Sequence, residues 1–258
     1  MAMETFCFTV DDNIWCLSDL TKKQPDSLFD NAYLAVYKRL HEKFGVKVQL
    51  NLFYETEGFT LSQMTDKYKS EWEANADWLK LSFHSREYES RTYGEDGYST
   101  LFDDASVVNA EIVRFAGERS LAKTTTIHFC KCSDEGQRAL ADCGYLGLLG
   151  LYGTDEQPRI SYGLDEGACY RLRRGEGVTA NGIRYFGIDV VLNAFSIAEI
   201  LEKLQGLSDR TQIRVMIHEQ FFYPHYRLYQ PEFEEKLSAT LQWLTNRGFV
   251  SAFAEGWL

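Results

Sequence analysis

Two adjacent carboxylates, Asp11 and Asp12, close the short apolar run Phe6-Cys7-Phe8-Thr9-Val10. Three later runs end on histidine in the same way. Leu79 to Phe83 leads to His84, Thr124 to Ile127 leads to His128, and Val215 to Ile217 leads to His218. One Asp and two His make a suitable set for a first-row divalent cation with positions left for water, zinc being the default. Such a cation lowers the pKa of its water, so hydroxide is available near neutral pH to attack a carbonyl. In the aspartate pair one carboxylate would bind the metal and its neighbour would act as general base, because two carboxylates in different surroundings take different roles. The bland alternative is a capped turn.

His218, followed by Glu219 and Gln220, is the candidate general acid for a leaving amine or alkoxide, against a packed core histidine. His128 is open between metal ligand, substrate contact and filler of a barrel mouth. Trp15, Tyr88 and Glu219 are the candidate substrate contacts, with core packing the simpler role for Trp15. His41 lies on the polar side of a helix, and His225 sits in a loop after Pro224; both are read as surface. If a glycosidase chemistry operated instead, Glu87, Glu219 or Asp189 would supply its carboxylates.

The elements that must position these residues alternate. Strands are expected at 5–10, 46–54, 79–84, 124–130, 145–151, 183–191 and 213–222. Helices are expected at about 26–44, 62–76, 104–117, 134–143 and 197–205, with a last one from Pro231. Gly45 stops the first helix, Ser133 caps another, and Ser196 with Glu199 forms a capping box. Residues 153–184 form a Gly-, Arg- and Glu-rich excursion, read as a hairpin. Strict βα order predicts an α/β fold with a parallel sheet, either closed into a barrel or open and doubly wound, and strand-end chemistry is where α/β barrels keep their sites. No Gly-rich phosphate loop follows the first strand. Residues 1–258 read as a single domain, with no repeat or linker.

The chain has 258 residues, 45% of them hydrophobic, and a formal charge of −11, which argues against nucleic acid and anionic membranes as partners. An enzyme acting on a neutral or cationic small molecule fits at least as well. No run approaches the roughly 18 apolar residues of a membrane span. No secretion signal precedes the first strand, and the six cysteines show no extracellular framework; a cytoplasmic protein with reduced thiols is expected.

Together these residues resemble the polysaccharide deacetylase superfamily (NodB homology, carbohydrate esterase family 4). Thr9-Val10-Asp11-Asp12 resembles its first motif, of Thr-aromatic-Asp-Asp type. His84-Ser85-Arg86-Glu87-Tyr88 carries the first half of its second, His-Ser/Thr-x-x-His, and Val215-Met216-Ile217-His218 resembles its late Leu-x-x-His. The segment from Leu241 to Phe249 reads like its closing helix and strand. The resemblance implies a distorted seven-stranded (β/α) barrel, a divalent metal, commonly zinc, and hydrolysis of an acetamide, usually on an N-acetyl sugar. By position it implies Asp11 as general base, Asp12 and His84 as metal ligands, and His218 as general acid. Two departures stand out. Tyr88 occupies the place of the second motif histidine, and Ile127-His128-Phe129-Cys130-Lys131-Cys132 replaces an Arg-x-Pro-Tyr segment. Either His128 restores the metal site from another strand, or metal binding is weakened or lost. A barrel that binds a carbohydrate or a partner without turnover is the alternative function.

Overall fold

A computed structural model describes residues 4–87 and 93–258 of the chain. Its strands are β1 (Thr5–Asn13), β2 (Val48–Thr56), β3 (Phe59–Thr60), β4 (Leu79–Glu87), β5 (Thr124–Thr125), β6 (Gly147–Gly150), β7 (Val178–Ala180), β8 (Ile183–Gly187), β9 (Val190–Val191), β10 (Gln212–His218) and β11 (Val250–Ser251). The helices are α1 (Trp15–Lys23), α2 (Ala32–Phe44), α3 (Lys69–Asn75), α4 (Tyr98–Ala116), α5 (Asp134–Asp142), α6 (Glu166–Arg173), α7 (Ile197–Gln205) and α8 (Phe233–Asn246).

Parallel strands line a distorted seven-position barrel. In one ladder β1 lies between β2 and β10, and β2 carries β4 on its far side. In the other, β5 pairs with β6 and β6 with β8. Two seams join the ladders. The chain runs from β8 directly into β9, which pairs with β10, and β4 approaches β5 through an isolated bridge between Leu81 and Leu121. Hydrogen bonding is therefore not continuous round the ring, which is the distortion. All nine residues of β1 are buried, as a strand covered on both faces requires.

The helices follow the sequence signals closely where those signals are local. Asn31 caps α2 by accepting from the Tyr33 and Leu34 N–H groups, both at 3.1 Å, and Gly45 ends it at φ 66°. Ser133 caps α5, and Ser196 with Glu199 closes a capping box on α7. Several expectations change. The helix expected at 62–76 is α3 alone, behind a 3-10 turn at Leu61–Gln63, and the one expected at 104–117 begins earlier, at Tyr98. The loop expected after β1 contains helix α1. The strand expected at 124–130 is only Thr124–Thr125, followed by a 3-10 turn at His128–Cys130. The strand expected at 213–222 stops at His218, and Glu219–Phe222 form another 3-10 turn. The 153–184 excursion contains α6 as well as the antiparallel β7–β8 hairpin.

Candidate metal centre and active site

Adjacent strand residues point to opposite faces, so Asp11 and Asp12 could not serve one site on a regular β1. The β1–β2 register slips between Val10 and Asn13, and Asp12 takes φ 65°. The extra residue and the left-handed turn swing the second carboxylate toward the first. A second slip occurs on β4, where Leu52 faces Phe83 and Phe53 faces Ser85, leaving His84 as the bulged residue. Bulges of this kind re-aim side chains beside functional sites. His128 arrives from the turn after β5. His218, the last residue of β10, lies in register with Asp11 on the neighbouring strand.

Asp12, His84 and His128 converge, with one possible donor atom from each lying within 4.8 Å of the others. Asp12 Oδ1 is 3.0 Å from His84 Nε2 and 3.4 Å from His128 Nδ1, and the two ring nitrogens are 3.2 Å apart. Donors held tetrahedrally at about 2.0–2.1 Å from an ion are themselves roughly 3.3 Å apart, so these edges match one face of a coordination shell. His84 Nδ1 donates to the Thr126 carbonyl at 2.5 Å, which fixes the tautomer and turns the Nε2 lone pair into the site. Asp12 Oδ1 is buried and makes no hydrogen bond of acceptable geometry, although both imidazoles approach it. An orphaned oxygen beside two imidazole nitrogens fits a cation better than a proton. The triad can therefore hold a divalent metal.

Burial alone would raise the Asp12 carboxyl, but the His128 and His84 rings outweigh it and hold the group below the ordinary carboxylate range. Asp11 moves the other way: burial raises its carboxyl, and the lowering by His84 and His218 does not compensate. The two neighbours are thus pushed apart, one toward permanent charge and the other toward greater basicity. Burial pulls His128 down, whereas Asp11 and Asp12 raise His84 against its own burial.

Further polar residues orient Asp11 and His218. Asn51 Nδ2 donates to Asp11 Oδ1 at 2.6 Å. Gln49 Nε2 donates to Asn51 Oδ1 and to the Thr124 carbonyl, while the Thr124 hydroxyl donates to Gln49 Oε1. This network crosses the barrel interior from β2 to β5. On the other side, Asn193 Oδ1 accepts from His218 Nδ1 at 2.8 Å and from the His218 N–H at 3.2 Å. Sequence reasoning missed Asn51 and Asn193. A signal for Asn51 existed, since Gln49 and Asn51 put two amides on one face of an otherwise apolar strand.

The remaining candidates separate. Trp15 lines a cleft of about 880 Å³ together with Tyr223, His225, Glu55 and Glu87, with its ring 5.3 Å from Tyr223 and 4.8 Å from His225. Tyr88 lies outside the described residues. Glu219 is not a substrate contact: its carboxylate is fully buried and accepts the Ile14, Trp15 and Cys16 N–H groups at 2.6, 2.8 and 2.7 Å, capping α1. Asp189 is also structural, accepting the Arg214 N–H at 2.8 Å with the Arg214 guanidinium 3.5 Å away.

No family model matches the sequence, and no curated protein matches it. Solved structures do match. A family 4 acetyl xylan esterase from Clostridium thermocellum, in complex with a cobalt ion, superposes with a TM-score of 0.53 at 13% identity, over 98% of this chain and 89% of that one. A CE4 family pseudoenzyme from Bacillus anthracis gives 0.54 at 10% identity, over 98% and 65%. The 4-alpha-glucanotransferase from Thermococcus litoralis gives 0.61 at 12% identity, over 99% of this chain but 40% of that one. At such identities the likeness establishes the fold: the distorted α/β barrel of the carbohydrate esterase family 4 structures, carried by a divergent sequence.

Proposed function

We propose that the protein is a zinc-dependent hydrolase that removes an acyl group, acetyl in the simplest case, from a small amide or an N-acetylated sugar. One observation carries this: Asp12, His84 and His128 converge as a buried ligand set, with Asp11 and His218 side by side in register next to it. A cation held there supplies Lewis acidity, acidifying water and polarising an acyl oxygen. Asp11, with Oδ1 occupied by Asn51, keeps Oδ2 to accept the proton of the attacking water. His218 is steadied at Nδ1 by Asn193, and its other ring nitrogen delivers a proton to the leaving group. An amide requires that proton, because an amine is expelled only once protonated. That a family 4 acetyl xylan esterase of this fold was obtained in complex with a cobalt ion supports a metal-dependent deacylase.

A screen of N-acetyl sugars and simple amides with zinc-loaded protein tests the proposal. Turnover is expected in the wild type and lost in Asp11→Asn and His218→Ala, both of which should retain zinc. Equal turnover in wild type and variants would contradict it. The likeness to a CE4 pseudoenzyme favours a second reading, carbohydrate binding without hydrolysis. That reading predicts saturable binding of a sugar with no product at any metal loading. Of the carboxylates a glycosidase would use, Glu219 and Asp189 are committed to backbone N–H groups, whereas Glu87 lines the cleft with Glu55.

A further inference from the structure

His128 is delivered by an unusual turn. The Cys130 N–H donates to the Ile127 carbonyl at 2.7 Å, closing four residues with Phe129 third at φ 58°, ψ 6°. A type II turn selects glycine at that place, since a side chain there crowds the backbone. Cys130 follows at φ 54°, so two consecutive residues with side chains occupy left-handed conformation. Such strain persists only where the surroundings over-determine it, and it gathers at functional sites.

The surroundings do over-determine it, and they belong to the stretch between β6 and α6. Tyr162, itself at φ 56° and buried, grips both ends of the turn. Its N–H donates to the Cys130 carbonyl at 3.0 Å, and its hydroxyl accepts the Ile127 N–H at 3.2 Å while donating to the Leu149 carbonyl at 2.5 Å. Arg159 Nη2 donates to the carbonyl of Phe129, the most strained position, at 2.5 Å. The Leu151 N–H meets Cys130 Sγ at 3.4 Å. The Phe129 ring, 47% exposed, lies 4.0 Å from the His128 ring, centroid to centroid.

We infer that Tyr162 and Arg159 are positioning residues that clamp the strained Ile127–Cys130 turn and so aim His128 Nδ1 at Asp12 and His84. The inference rests on the metal-centre reading above. It gives the 153–184 excursion a task, since one of its arms holds a ligand of the metal centre in place. The clamp acts on geometry before any metal arrives, so its loss shows as weaker and altered metal binding in a protein that is still folded.

The test is titration of metal-free protein with zinc by calorimetry and with cobalt by visible absorption, whose bands report coordination geometry. Arg159→Ala is expected to weaken zinc binding about 10-fold and Tyr162→Phe roughly 10- to 100-fold, the range for residues that orient ligands from behind. Both should shift the cobalt bands, and Arg159→Ala should leave the melting temperature of the metal-free protein unchanged. If Tyr162→Phe does not fold, Arg159→Ala, at the half-buried rim, decides alone. Wild-type affinity and spectrum in the folded variants overturn the clamp and leave the metal centre standing. A wild type that binds neither metal, with Asp12→Ala indistinguishable from it, overturns the metal centre and the clamp with it.

Discussion

Asp11 and Asp12 share a backbone but not an environment. Asp12 faces two imidazoles and makes no proper hydrogen bond through Oδ1, whereas Asp11 is tied to a neutral amide. Burial raises the Asp11 carboxyl more than His84, His218 and the Asn51 amide lower it, and the amide also orients the carboxylate. Asn51→Ala is accordingly expected to lower kcat without displacing metal. A hydrogen bond to a charged group contributes about 1.5–3 kcal/mol, so the loss should be roughly 10- to 100-fold. Steady-state kinetics beside metal analysis checks this, and a kcat within twofold of wild type would remove Asn51 from the mechanism. At this scale the sequence was informative about residue types. Three histidines and an aspartate pair after apolar runs pointed to a metal site, and the structure brings Asp12, His84 and His128 together as a set that could hold a divalent cation. The sequence was silent about their angles, because those depend on two register slips and a left-handed aspartate that no local pattern encodes.

Among the elements, α1 shows why a reading of local signals falls short. Trp15-Cys16-Leu17-Ser18 follows a strand with no Ser, Thr, Asp or Asn cap of its own, since Ile14 occupies the cap position without a side-chain bond. The cap is Glu219, brought in from the turn after β10. Helices α2, α5 and α7, capped by their own residues, were legible; α1 was not, and neither was α6, although its own Asp165 caps it by accepting the Ala168 N–H. The Glu219 carboxylate looked like a substrate contact because it follows His218, but three backbone donors already occupy it. Glu219→Ala would leave those buried N–H groups unsatisfied. It is expected to cost about 3 kcal/mol and to lower the melting temperature by roughly 6–12 °C for a chain of this size. Glu219→Gln, which keeps one oxygen, should cost less. Thermal and urea melts measure both, and a loss below about 0.5 kcal/mol in Glu219→Ala would mean that α1 does not depend on this cap. Because α1 starts three residues after Asp12, the same variant should also loosen metal binding.

For the whole molecule, the alternation of strands and helices implied a parallel sheet, closed or open; the family resemblance supplied the distorted barrel, and the comparisons bear that form out at very low identity. The seams were not legible. They arise where β8 passes into β9 and where β5 shrinks to two residues, and that shortening makes room for the turn carrying His128. The strand expected over 124–130 would have continued past this point; its replacement by a 3-10 turn lets His128 meet Asp12 and His84, which come from β1 and β4. Whether Asp12, His84 and His128 form one metal centre is decided by a crystal structure of the protein grown with zinc. A single anomalous peak is predicted, about 2.0–2.2 Å from Asp12 Oδ1, His84 Nε2 and His128 Nδ1. No peak at that place, or a peak from which the His128 ring is turned away, would contradict it.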